Sequence, residues 1–73
     1  MSMRAYGNLS GNSGVQAYES GPGYIRVRFV GGKTYLYTDA SAGPRNVRRM
    51  QELASAGRGL ATFISTTVRD GYA

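Results

Sequence analysis

The stretch YIRVRFVGGKTYLYT, Tyr24 to Thr38, decides the fold. From Tyr24 to Val30 it alternates: Ile25, Val27 and Phe29 point one way, and Tyr24, Arg26 and Arg28 the other. Gly31-Gly32 follows, and Lys33 to Thr38 forms a second run of β-formers. Two glycines between such runs indicate a tight hairpin, because the favoured turns need positive φ. With the glycines at the tip, Val30 lies opposite Lys33, Arg28 faces Tyr35, Val27 faces Leu36, and Arg26 faces Tyr37. One face then carries Ile25, Val27, Phe29 and Leu36, with Thr34 and Thr38. The other carries Arg26, Arg28, Lys33, Tyr35 and Tyr37. Sheets that pack on one side divide in this way. A three-residue turn or a bulge shifts the register by one and puts both tyrosines on the core side. Both registers are open at this level.

Upstream, Val15 to Tyr18 reads as a short first strand that ends at the turn signal ESGPG, Glu19 to Gly23. The segment before it is rich in Gly, Ser and Asn, so residues 1–12 read as a flexible lead-in. Downstream, Asp39 to Gly43 (DASAG) reads as a loop. Pro44 suits the first turn of a helix, where its missing N–H costs nothing. Val47, Met50, Leu53 and Ala54 then recur at helical spacing. Gly57 fits a helix end that needs the left-handed conformation. A second helix starts near Gly59, with Leu60, Phe63, Ile64 and Val68 as its apolar stripe, and 70–73 form a tail. The expected fold is α+β: a small antiparallel three-stranded sheet followed by two C-terminal helices packed on one face, in one domain over 13–69.

The chain has 73 residues, which limits it to one small and marginally stable domain. It has no cysteine and no histidine, so disulfides, thiolate sites, imidazole proton shuttles and the commonest metal ligands are all excluded. Nine Lys+Arg against four Asp+Glu give a formal charge of +5. Such a field favours polyanions, and arginine adds bidentate phosphate contacts and stacking on aromatics. No apolar run approaches the roughly 20 residues of a membrane span, and no signal peptide is evident, so a cytoplasmic location is the expectation.

The string GGKT, Gly31 to Thr34, joins two strands. A phosphate-binding loop joins a strand to a helix and needs an earlier glycine where this chain has Val27. The arginine-tyrosine face suits nucleic acid better. Arg26, Arg28 and Lys33 can contact phosphates, while Tyr35 and Tyr37 can stack on unpaired bases. A solvated outer face with cross-strand Arg–Tyr pairs is the plainer alternative. Arg45, Arg48 and Arg49 lie on the exposed side of the first helix and are further candidates for phosphate contact. Arg48 can also pair with Glu52 at i+4. SAGRGLA, Ser55 to Ala61, fits a tight helix–helix turn better than an anion site. The acids Glu19, Asp39, Glu52 and Asp70 form no carboxylate pair or metal cluster, and a serine nucleophile would lack its base. No catalytic residues, metal site or cofactor are therefore expected.

The residues assembled so far resemble the KTSC domain, found at the C-terminus of some lysyl-tRNA synthetases and as a small bacterial protein. Its central Tyr-x-Tyr reads Tyr35-Leu36-Tyr37 here. Ile25, Val27, Phe29 and Gly32 precede it, and Pro44, Val47, Leu53, Gly57, Leu60 and Ile64 follow in comparable order. Ser13 and Val15 are compatible with the family's first strand, so the resemblance covers Asn12 to Val68. It implies a small α+β domain and, through the synthetase fusion, RNA as a partner. The expected function is a non-catalytic binding module for RNA or single-stranded nucleic acid, with a protein-interaction or homodimerisation module as the alternative.

Overall fold

The computed structural model describes residues 3–7 and 14–73. Most of the expected lead-in, together with Asn12 and Ser13, lies outside the described residues. An antiparallel sheet in the order β1-β2-β3-β4 is built from Arg4–Ala5 (β1), Val15–Gly21 (β2), Tyr24–Phe29 (β3) and Thr34–Thr38 (β4). Helices follow: Asp39–Ala42 (α1), Pro44–Ala56 (α2), and Leu60–Phe63 (α3), which runs on into a π-helical turn, Ile64–Val68. The sheet therefore has four strands rather than three. The extra one comes from the segment read as a flexible lead-in, where a two-residue strand carries no periodicity to read.

The β3–β4 register settles the question raised by the glycines. Ile25 pairs with Tyr37, Val27 with Tyr35, and Arg28 with Thr34. The Phe29 amide donates to the Lys33 carbonyl at 2.7 Å, so the connection has three residues, Val30-Gly31-Gly32. Both glycines hold positive φ, 103° and 95°. This is the shifted register, not the two-residue hairpin. The physical reason is burial: it brings two tyrosines inward and leaves Thr34, Leu36 and Thr38 outside. Each aromatic ring buries roughly 150–250 Å², more than Leu36 and two threonines offer in the other register.

β2 is longer than expected, and Pro22-Gly23 closes it onto β3 with Gly21 opposite Tyr24. A bulge lies between Val15 and Ala17. Asp39 to Ala42 form a helical turn instead of the expected loop. The Thr38 hydroxyl accepts from the Ser41 amide, and the Ser41 hydroxyl accepts from the Thr38 amide, a reciprocal capping box. α2 starts at Pro44 and ends at Gly57, as the sequence indicates. Gly57 is left-handed at φ 79°. Its amide donates to Ala54 and the Arg58 amide to Leu53, the Schellman pattern that satisfies the last carbonyls.

The helices cover one sheet face. Tyr6, Val15, Tyr18, Ile25, Val27 and Tyr37 meet Val47, Met50, Ala54, Leu60, Ile64 and Val68 in one core. Two polar contacts fix the layers. The Gln51 side-chain amide donates to the carbonyls of Gly21 and Tyr24 at the β2–β3 tip. The Leu60 amide donates to the Tyr6 hydroxyl at 3.2 Å.

Candidate nucleic-acid interface

β3 projects Arg26 and Arg28 from the face opposite Ile25 and Val27, and both are exposed. Arg26 lies between Glu19 on β2 and Leu36 on β4, and Arg28 between Ala17 and Thr34. Arg26 Nη1 donates to Glu19 Oε1 at 2.6 Å. With the Arg26 side chain 44% exposed, this pair contributes at most about 1 kcal/mol. Arg28, and Lys33 beside the β3–β4 loop, are exposed and form no ion pair among the described residues. Tyr24 shares this face. Its ring lies over Gly21, where a Cβ would come within 2.5 Å of the ring, so glycine is what allows it to lie flat.

Tyr35 and Tyr37 do not join the arginines, which corrects the first of the two registers. Tyr37 is 2% exposed and belongs to the core. Burial, then the neighbouring Tyr35 and Tyr72 hydroxyls, raise its pKa above the ordinary 10.0. Tyr35 is half-buried. It meets Phe29 edge-on at 5.7 Å and stacks on Tyr72 at 4.8 Å. A base reaching the arginine face cannot stack on either ring from that side.

The helical arginines stand apart as well. α2 turns Val47, Met50 and Ala54 to the sheet, and Arg45, Arg48 and Arg49 are exposed. Arg45 and Arg49 therefore face away from the sheet, across the thickness of the domain from Arg26 and Arg28. Glu52 pairs with Arg49 at 3.1 Å, not with Arg48. Arg48 lines a cleft of about 120 Å³ with Gly23, Asp39, Pro44, Val47 and Gln51. The fold thus keeps Arg26 and Arg28 together, but the same shift of register puts Lys33, opposite Phe29, on the side of Tyr35 and Tyr37 rather than beside the arginines, and the helix arginines form a separate surface.

A larger cleft of about 230 Å³ opens between the β3–β4 end of the sheet and residues 69–72. Phe29, Tyr35, Tyr37, Ile64 and Tyr72 line it together with one cation and one anion, Arg69 and Asp70. Sequence reading missed Arg69 and Tyr72, because both lie at or beyond the end of the last apolar stripe and nothing periodic ties them to the sheet. The Gly57–Gly59 segment is a helix–helix turn, and Tyr6 already takes the Leu60 amide. Among the described residues no three Asp or Glu gather as a metal site, and no helix is long and apolar enough to cross a membrane. No family model, curated protein or solved structure matches this chain.

Proposed function

We propose that this protein is a non-catalytic binding module for single-stranded nucleic acid, RNA above all, and that phosphate contacts from the helix-free sheet face carry the binding. The observation behind this reading is the row of Arg26 and Arg28 along β3, answered by a single carboxylate, Glu19. Two residues apart on one strand face, they stand about 6.8 Å from each other, a spacing that suits successive phosphates of an extended strand. The resemblance to the KTSC domain supports the same partner. Tyr35 and Tyr37, which that resemblance singles out, act here mainly in packing.

The test is a salt series with a short single-stranded RNA. Each lost phosphate contact reduces the slope of log K against log salt by about one unit. Arg26→Ala and Arg28→Ala together should flatten the slope by about two units, with only a small fall in the thermal melt from loss of the exposed Arg26–Glu19 pair. A slope unaffected by both substitutions sinks this reading.

A protein partner is the second reading, favoured by the position of β4 as the outer strand of the sheet. The Ala73 amide already donates to the Leu36 carbonyl at 2.7 Å on that edge, so the edge accepts an added strand. Sedimentation across a concentration series separates the two: self-association through the edge persists at high salt, and phosphate binding does not.

A further inference from the structure

We propose that the cleft beside Tyr35 is a subsite for one nucleobase, held shut in the free protein by Tyr72. The proposal rests on the RNA reading and adds to it a stacking surface, a ligand size and a gate.

The Tyr35 ring face accepts a flat ring, since Tyr72 lies on it with 23° between planes. Tyr72 also meets Tyr37 edge-on at 6.4 Å. Yet Tyr72 is itself 39% exposed. It is carried on a short segment tied down by the amides of Gly71 and Ala73, which donate to the carbonyls of Val68 and Leu36. A competing ring has little to displace.

The closed form is also strained at its root. Arg69 holds φ 33° and ψ −98°, and is the only non-glycine residue at positive φ among the described residues. It follows directly on a π-helical turn, a feature that recurs at functional sites. Such a conformation persists only where the surroundings impose it, so release of the segment relieves it.

Size and charge select the ligand. The cleft falls below the roughly 300 Å³ of pockets that take drug-sized molecules, which leaves room for a single ring system. Arg69 lines it, and the chain carries +5 overall. Asp70 lines it too and offsets Arg69, so the wall is close to neutral, and it is the positive field of the whole chain that favours a ring linked to phosphate over a free cation. Position completes the case. β4 is the sheet edge, and along it Tyr35 and Tyr37 alternate with Leu36, which sits beside Arg26 on the other face. A strand that crosses this edge reaches the arginines with its phosphates and the cleft with a base.

The experiment compares an oligouridylate with a base-free ribose-phosphate oligomer of equal length, at one low salt concentration. The wild type should bind the oligouridylate more tightly. Tyr72→Ala should widen that difference, because the gate is gone. Tyr35→Leu should lower oligouridylate affinity by roughly 5- to 150-fold, the loss expected for one stacked base, and leave the base-free oligomer unaffected. Tyr72 lies outside the core, so its variant stays informative even where Tyr35→Leu unfolds the domain. Equal binding of the two oligomers by wild type and Tyr72→Ala overturns the subsite and leaves the basic face standing. A narrower difference in Tyr72→Ala overturns the gate. Binding of neither oligomer by wild type overturns both the subsite and the RNA reading.

Discussion

Tyr6→Phe removes one oxygen atom and tests whether the N-terminal segment belongs to the fold. The Tyr6 hydroxyl accepts a hydrogen bond from the Leu60 amide at the start of α3. Gly59 supplies no side-chain cap there, so this tertiary contact does the work of one. Leu60 is 0% exposed and Tyr6 6%, and water has no ready route to the orphaned N–H. An unsatisfied buried donor costs about 1–3 kcal/mol. Loss of the hydroxyl's own burial returns part of that, and the net is about 1–2 kcal/mol. A domain of this size is stable by roughly 4–11 kcal/mol, and each kcal/mol lowers its Tm by about 4–8 °C. The expected shift is therefore about 4–16 °C, with a lower urea midpoint and an unchanged m-value. Tyr18→Phe is the control. Tyr18 is nearly as buried, but its hydroxyl has no hydrogen bond among the described residues, where no buried side-chain oxygen lacks a partner, so that oxygen is not a buried one. Its loss should cost under about 0.5 kcal/mol. If Tyr6→Phe proves as neutral as Tyr18→Phe, the docking of residues 3–7 is refuted, and with it the fourth strand.

Two further outcomes follow from the same geometry. Gly57→Ala forces a Cβ into the left-handed region at φ 79°, so it should cost about 1–2 kcal/mol in a chemical melt, whereas replacement of Gly14, with no positive φ, should cost much less. The buried Tyr37 holds its proton above pH 10.0, the ordinary tyrosine value. The unfolded chain gives up that proton first, so the contribution is complete below pH 10 and declines as pH rises from there through the raised native value. In an alkaline titration the tyrosinate absorbance of Tyr37 should appear only with loss of structure. Its appearance while the far-ultraviolet signal stays native would disprove the burial argument.

Local chemistry determined much of this protein. The alternation of Ile25, Val27 and Phe29, the helix over Val47 to Ala54, its start at Pro44 and its left-handed end at Gly57 are each set by neighbours a few residues apart. So are the basic row of Arg26 and Arg28 and the exposure of Arg45, Arg48 and Arg49. The α1 turn was legible in principle, since Thr38 and Ser41 cap each other locally, but it competed with a plain loop reading of DASAG. What only the tertiary structure decided is which way β4 faces. A glycine pair permits a two- or a three-residue connection at similar local cost, and the choice falls to the side that buries more ring surface against α2 and the π turn. That choice moved Tyr35 and Tyr37 from the arginine face to the core face, and took Lys33, opposite Phe29, off the arginine face with them. The docking of Tyr6 on Leu60, 54 residues away, and the stacking of Tyr72 on Tyr35 have the same origin. They are contacts between distant parts of the chain, and no period in the sequence encodes them.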